Sequence, residues 1–319
     1  MTKPIRKEKN DWANKIFSPE ILIISPAENP EAKETEKYLK NNSPNIGTFI
    51  LDTSLFPRLI SCNFFLNDEK LKLKFALQDK NLTVSLDKLR SVWWWRPKPP
   101  QTGEQGERHS YVYSESLQLF NSMFQIINCL WVNHPVKQDT ILNPICQARL
   151  ATLSGFQVPD ILVTNEPESI KKFWDKNDHN LLYQQMTLEG NSSKKLTEKY
   201  FEQPENFRLA PILFKKEIRF QSYLRVIIIG NSMNCFEQNG DNIKKVDTPG
   251  AIEKSLKKFV KFAELSYTGI NFGIDSKYNY IFDSINPYTP FLEFEKKMGI
   301  PFTELVANLL LSRKSLNFK

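Results

Sequence analysis

An arginine inside an apolar strand is a candidate for a chemical role in this sequence. Arg225 stands in the run YLRVIIIGN at 223–231, whose apolar residues indicate a buried strand. A buried guanidinium needs an anionic partner to offset its lost hydration. The strand therefore predicts either a contact with a bound phosphate or, as the alternative, an ion pair at the protein surface.

A second group of polar residues stands in the segment YIFDSIN at 280–286, which is typical of a strand. Because side chains alternate between the two faces of a strand, Ser284 and Asn286 are predicted to share one face and Asp283 to lie on the other. Only a β-bulge or a shift of register would bring Asp283 to the same side.

The sequence lacks the residue patterns of several other common functional sites. His109, His134 and His179 have no metal-ligand spacing, and the four cysteines form no CxxC pair. No GxGxxG, P-loop or GxSxG motif occurs. The sequence therefore argues against a structural zinc site, a disulfide framework and the sites that those motifs form.

Composition predicts an ordinary globular chain around these residues. At 319 residues, with 40% hydrophobic and 25% charged residues, it is long enough for about two to three domains. The formal net charge is +7, but acidic residues are interleaved with basic ones, which is typical of solvated faces and makes nucleic acid a weak candidate partner. With no apolar run of about 18 residues and no apolar N-terminal segment, a cytoplasmic location with no membrane partner is predicted.

Strands and helices alternate along the chain, which predicts an α/β fold. A flexible extension over 1–19 is followed by a βαβ unit from ILIISP (21–26) to IGTFILDT (46–53) and by small antiparallel strands. The later predicted elements are a strand at 91–95, a helix between Pro144 and Gly155, strands at 181–187, 210–218 and 223–231, and a hairpin of 267–274 with 280–286.

Four motifs in this order resemble the ATP-grasp ligases that mature microviridin-type (graspetide) peptides. They are SVWWWRP at 91–97, WVNHP at 131–135 with Asn143 and Gln147 after it, GFQVPDILVTNEPESIKKF at 155–173, and the block from Pro211 through LRVIIIG to YIFDSINP and GIPFTELVANLL. The resemblance implies an α/β (α+β) ATP-grasp architecture. Its expected parts are an N-terminal pre-ATP-grasp domain over 20–134, a central ATP-grasp subdomain over 135–209 and a C-terminal subdomain over 210–319.

The resemblance also implies an activity. Such ligases use ATP and Mg²⁺ to phosphorylate a side-chain carboxylate of a ribosomal precursor peptide, and a hydroxyl or amine of the same peptide then attacks the acyl phosphate. By resemblance, Arg225 and Asn286 take catalytic positions. The other candidates are Gln185, Lys215, Lys216, Glu217 and Asn271 for the cofactor, Asn286, Asp283 and Ser284 for the metal, and Trp94 and Arg96 for the peptide.

Several of these positions depart from the family pattern. Asn271 and Ser284 stand where the family has a magnesium-binding aspartate and glutamate, and Gln185 stands where it has a phosphate-facing lysine. Lys215 and Lys216 replace a Gln-Glu pair beside the adenine. Because Mg²⁺ favours carboxylate and phosphate oxygens, its affinity is predicted to fall sharply.

Three functional hypotheses follow. The first is a divergent family member that binds a precursor peptide, has a degenerate ATP/Mg site with weak or absent catalysis, and presents the peptide to a second, intact ligase. The second is an active ligase whose site is rebuilt around Asp283 and Glu217 with one of three lysines, Lys194, Lys215 or Lys216. The third is a basic binding module without ATP chemistry. A homodimer is compatible with each of them.

Overall fold

The computed structural model describes residues 15–66, 71–186 and 193–312. Most of the predicted N-terminal extension lies outside these ranges, as do residues 188–192 of the loop before Lys194. The end of that extension differs from the prediction, because Lys15–Phe17 form a strand, β1. It pairs in parallel with β6, Leu82–Ser85, and so extends a sheet.

The chain divides into two compact units, and the described residues of the first are 15–66, 71–134 and 290–312. Its parallel sheet consists of β2 (Ile21–Ile24), β3 (Thr48–Leu51), β7 (Ser91–Trp94) and β8 (Leu130–Val132), in the spatial order β3-β2-β7-β8. Strand β2 is apolar and fully buried, as expected for a parallel strand that is covered on both faces.

Four α-helices and a second, mixed four-stranded sheet belong to the described residues of the first unit. The helices are α1 (Pro30–Asn42), α2 (Gly106–Ile126), α7 (Leu292–Met298) and α8 (Phe302–Leu311). The mixed sheet joins β4 (Ile60–Leu66) and β5 (Leu71–Leu77) to β6 and β1, in the order β1-β6-β5-β4. Helix α8 lies against β7, where the Ser91 hydroxyl donates to the Leu310 carbonyl over 2.7 Å. Residues 290–312 therefore pack with the first unit, although the sequence assigned them to a C-terminal subdomain.

The second unit, residues 135–289, contains two antiparallel sheets. The four-stranded sheet consists of β9 (Ile161–Thr164), β10 (Leu181–Gln184), β11 (Lys194–Lys195) and β12 (Ile212–Lys216), in the order β11-β10-β12-β9. Helix α5, Pro167–Lys176, covers one of its faces, where Ile170 and Trp174 pack on Leu181 and Phe214. The opposite face of this sheet carries the candidate functional site.

The five-stranded sheet of the second unit contains the predicted hairpin. Its strands are β13 (Ser222–Ile229), β14 (Ser232–Asn239), β15 (Asn242–Val246), β16 (Tyr267–Ile274) and β17 (Tyr280–Asn286), in the order β15-β14-β13-β16-β17. The bounds of β16 and β17 are those predicted, whereas β15 was missed. Strand β17 therefore lies at an edge of this sheet.

Helices α3 (Pro135–Leu142), α4 (Pro144–Ser154) and α6 (Gly250–Ala263) also belong to the second unit. The predicted ends of α4 are confirmed. Asn143 caps its N-terminus by accepting hydrogen bonds from two backbone amides, and Gly155 ends it at a φ of +92°. Residues of α4 and α6 share one apolar core with the buried face of the five-stranded sheet, which fixes the position of α4 beside β17.

Across the described ranges, every helix is too short or too polar to cross a membrane.

Candidate functional site

A cleft of about 500 Å³ lies in the second unit. Helix α4, the four-stranded sheet, and strands β16 and β17 all contribute to its walls. Its polar lining residues are Gln147, Gln184, Ser193, Lys215, Asn271, Asp283, Ser284, Asn286 and Tyr288. A cleft of this size and mixed polarity is large enough for a nucleotide-sized molecule.

A β-bulge in β17 changes which residues face the cleft. Asn271 pairs with Ser284, but the next residue, Phe272, pairs with Phe282, so Asp283 is an extra residue without a partner in the ladder. An extra residue disrupts the alternation of side chains at that point. The prediction that Asp283 lies on the face opposite Ser284 is therefore wrong, since the Ser284 hydroxyl donates to the Asp283 carboxylate over 3.1 Å.

Hydrogen bonds join five of the predicted site residues into one chain, which we name the cleft network. Arg225 Nε donates to Asn271 Oδ1 over 2.9 Å, and Asn271 Nδ2 donates to Ser284 Oγ over 3.1 Å. Ser284 Oγ donates to Asp283 Oδ2 over 3.1 Å, and Lys215 Nζ lies 3.4 Å from Asp283 Oδ1. The strand register explains the first two hydrogen bonds of this network, because Arg225, Asn271 and Ser284 are direct neighbours across β13, β16 and β17.

The ion pair at the end of the network connects the two sheets of the second unit. Lys215 belongs to β12 and Asp283 to β17. Their side chains are 19% and 34% exposed, so Lys215 is largely shielded from solvent and Asp283 is half-buried. Arg225 is half-buried, and it contacts an uncharged amide of the network.

Three of the predicted cofactor-binding residues lie outside the lining of this cleft. Gln185 is exposed after the end of β10, and its neighbour Gln184 faces the cleft instead, where it accepts a hydrogen bond from Ser193 Oγ over 3.0 Å. Lys216 follows Lys215 on β12 and is exposed. Glu217 forms an ion pair with Lys195 at 2.7 Å. Strand alternation places Gln184 and Gln185 on opposite faces, and a cofactor-binding role for Gln185 stays a prediction.

Asn286 and Gln147 also line the cleft. The Asn286 Oδ1 atom accepts a hydrogen bond from the Tyr288 backbone amide over 2.9 Å. The Gln147 side chain holds the free edge of β17 at Ile285, accepting from its N–H over 3.0 Å and donating to its carbonyl over 3.2 Å. Gln147 stood in the sequence only as part of a motif, four residues after the cap of α4, and this contact was not foreseen.

Trp94 and Arg96, the predicted peptide-binding residues, belong to the first unit. Trp94 is half-buried against the core of that unit, while Trp93 and Trp95 are fully buried with ring centroids 4.9 Å apart. Arg96 is exposed at a φ of +50°, and its guanidinium lies 5.4 Å from the centre of the Trp95 ring. A role for these residues in peptide binding stays a prediction.

Solved structures share this arrangement of elements over nearly the whole chain. The macrocyclase MdnC from Microcystis aeruginosa MRC, bound with the precursor peptide MdnA, superposes with a TM-score of 0.84 at 19% identity, covering 92% of this chain and 99% of that one. A RiPP-associated ATP-grasp ligase from Chryseobacterium gregarium, in complex with ADP and a leader and core peptide, gives 0.82 at 18% identity, covering 96% and 99%. This chain has the ATP-grasp ligase fold.

A third ATP-grasp structure was solved with a metal. The ligase PsnB, complexed with a phosphomimetic variant of its minimal precursor, Mg and ADP, superposes with a TM-score of 0.76 at 17% identity, covering 92% of this chain and 98% of that one. No family model and no curated protein sequence matches this chain. The predicted α/β ATP-grasp architecture is confirmed by these structures.

The cleft of this ATP-grasp chain does not fit a magnesium ion. Asp283 is the one carboxylate among the lining residues, and it already accepts contacts from Ser284 and Lys215. Elsewhere in the described ranges, no cluster of three His, Cys, Asp or Glu residues could hold a metal. Mg²⁺ demands near-octahedral oxygen coordination and favours carboxylate and phosphate oxygens, so the amide of Asn271 and the hydroxyl of Ser284 are poor ligands for it.

A second cavity, of about 560 Å³, lies beside β10 and the segment that follows β11. It contains an aromatic pair, in which the hydroxyls of Tyr183 and Tyr200 are 2.8 Å apart. Burial, together with the neighbouring Tyr200 phenol, raises the pKa of Tyr183 to about 12. Tyr183 therefore stays neutral at ordinary pH, and it offers a ligand in this cavity a hydrogen-bonding phenol and an aromatic ring.

Proposed function

We propose that this chain is a divergent ATP-grasp protein of ribosomal peptide maturation, which binds a precursor peptide and does not ligate it. The observation that carries the proposal is the cleft network. Its single carboxylate, Asp283, is held by Lys215 and Ser284. A site in this state has no acidic group to spare for the cation that phosphoryl transfer needs.

Formation of an acyl phosphate requires positively charged groups beside the phosphate that is transferred. Transfer of a phosphoryl group depends on positioning and on cations that offset the charge of the phosphate oxygens. By resemblance a lysine is expected at Gln185, but Gln185 is exposed and its uncharged neighbour Gln184 lines the cleft. The resemblance also implies acidic residues at Asn271 and Ser284, which line the cleft as an amide and a hydroxyl. Catalytic positions for Arg225 and Asn286 are implied by the resemblance, and together these residues supply a single positive charge and no carboxylate.

Peptide binding is supported by what the similar structures contain. Three of them hold a precursor, or a leader and core peptide, and their folds match this chain over 92% to 96% of its length. A precursor peptide is synthesised in the cytoplasm, which is where we place this protein. In this role it would present its peptide to a second, intact ligase.

The proposal is tested by mixing the purified chain with candidate precursor peptides, ATP and Mg²⁺, and measuring both calorimetric binding and intact peptide mass. We expect one peptide to bind while its mass stays unchanged. An active ATP-grasp ligase with its own precursor serves as the positive control for the reaction conditions. A peptide that loses 18 Da, or a multiple of it, would show that this chain is a working ligase.

A rebuilt, active site is the second candidate, and the β-bulge favours it. The bulge brings Asp283 into the cleft beside Lys215, so one carboxylate and one lysine are present at new positions. Glu217, which this hypothesis also requires, is paired with Lys195 outside the cleft lining. The mass measurement separates the two candidates directly.

A further inference from the structure

We infer that the cleft binds a nucleoside phosphate in its metal-free form, with the Lys215 ammonium group taking the place of the divalent cation. The inference rests on the proposed function and deepens it, because it names the form of the ligand that the altered site accepts. It follows from the charge, the geometry and the apolar wall of the cleft.

The charge of the cleft network favours an anion over a cation. It contains two bases, Arg225 and Lys215, and a single acid, Asp283, and of these Lys215 and Asp283 line the cleft. The other polar side chains in the lining are neutral amides, hydroxyls or a phenol. Free ADP carries more negative charge than its magnesium complex, so a cleft whose one lining carboxylate is already paired with a lysine should prefer the free nucleotide.

The geometry of Lys215 leaves its ammonium group able to contact a ligand. Its contact with Asp283 is long, at 3.4 Å, and is its one ion pair among the described residues. An ammonium group has three N–H donors, so two directions remain for phosphate oxygens in the cleft. The side chain is only 19% exposed, and such shielding strengthens an electrostatic contact.

An apolar wall lies beside this ammonium group. Ile161 is the direct cross-strand neighbour of Lys215, and Leu213 lies two residues earlier on the same face of β12. Val158, Pro159 and Met186 extend the wall within the cleft lining. A flat base stacked on this wall would place its phosphates toward Lys215, and the cleft volume of about 500 Å³ is sufficient for both parts.

Removal of the Asp283 carboxylate is expected to change nucleotide affinity in opposite directions under two arrangements of the ligand. If the ammonium group of Lys215 binds the phosphate, the Asp283 carboxylate competes with that phosphate, and its removal strengthens nucleotide binding. If instead a metal bridges Asp283 and the nucleotide, removal of the carboxylate weakens binding. The same substitution therefore gives opposite results under the two arrangements.

The experiment is calorimetric titration of the full chain with ADP, once in EDTA and once in excess Mg²⁺. We expect ADP to bind at least as tightly in EDTA as in Mg²⁺. Asp283→Asn should raise the affinity in EDTA about threefold to tenfold, and Lys215→Met should lower it about tenfold, as for one shielded charge contact. The matched control is Lys258→Met, which removes an exposed lysine of α6 and should leave the affinity unchanged.

Binding that requires Mg²⁺, or that weakens in Asp283→Asn, overturns the inference, and so does an absence of ADP binding under both conditions. The comparison of EDTA with Mg²⁺ needs only the unchanged chain, so it decides even if a variant does not fold. These results are independent of the peptide assay. A peptide that loses 18 Da would remove the proposed function without altering the nucleotide titration, and a failed titration would leave peptide binding as it is.

Discussion

The double variant Asn271→Asp/Ser284→Glu is expected to acquire Mg²⁺-dependent stabilisation by ADP, which the unchanged chain lacks. The two substitutions return carboxylates to neighbouring positions on β16 and β17, beside Asp283. Three acidic groups would then face the cleft and provide the oxygen ligands that Mg²⁺ favours. A ligand at about 100 times its Kd stabilises the folded state by about 2.7 kcal/mol, so we expect a rise in Tm of about 5–10 °C on adding Mg²⁺ to the ADP-containing sample.

Two comparisons keep this result interpretable. A second double variant, Asn242→Asp/Ser114→Glu, adds the same kinds of acid at exposed positions on β15 and α2, and it should show no response to Mg²⁺ with ADP. The Tm of each variant without ligand shows whether it is folded. A folded Asn271→Asp/Ser284→Glu variant with no response to Mg²⁺ would mean that the missing carboxylates are not what prevents metal binding.

Gly269→Ala is expected to destabilise the chain by about 3 kcal/mol, because it overpacks a site that cannot yield. A Cβ atom at Gly269 would lie 2.0 Å from Thr289 Oγ1 and 2.7 Å from Thr289 Cβ. Thr289 is only 3% exposed, its hydroxyl donates to the Asn286 carbonyl over 2.8 Å, and its carbonyl accepts from the Tyr267 hydroxyl. Thermal unfolding should show a fall in Tm of about 5–10 °C.

Gly250→Ala is the matched control for this substitution. Gly250 is the first residue of α6, and a Cβ atom built there meets no atom within 4 Å. Because alanine limits the unfolded chain more than glycine does, this variant should be unchanged or more stable by about 0.5–1 kcal/mol. Equal Tm values for the two alanine variants would show that Thr289 moves aside at little cost, so that the turn after Asn286 is less rigid than its contacts indicate.

Local sequence signals were sufficient for much of the fold. The ends of α4 were predicted from Pro144 and Gly155, whose backbone preferences act within one helical turn. The hairpin of β16 and β17 was predicted with the observed bounds, since its apolar runs flank a short polar turn. These signals depend only on neighbours in the sequence. Strand β15 was missed because NIKKV at 242–246 is polar and mostly exposed.

The arrangement of the cleft depends on contacts between distant parts of the chain. The bulge at Asp283 arises from how β17 pairs with β16, and Gln147, which is 138 residues away from Ile285, holds the edge of β17 next to it. The ion pair of Lys215 with Asp283 joins residues 68 positions apart. Alternation within one strand could not reveal any of these contacts. It assigned Asp283 to the wrong face for that reason.

Binding of Mn²⁺, followed by electron paramagnetic resonance, tests most directly whether this cleft lacks a nucleotide-linked divalent cation. Mn²⁺ accepts the same oxygen ligands as Mg²⁺, and its free ion gives a signal that falls when the metal is bound. With ADP present, we expect that adding the protein causes no further fall in that signal. A stoichiometric, protein-dependent fall that Asp283→Asn abolishes would contradict the account, because it would show a metal held at the bulge of β17.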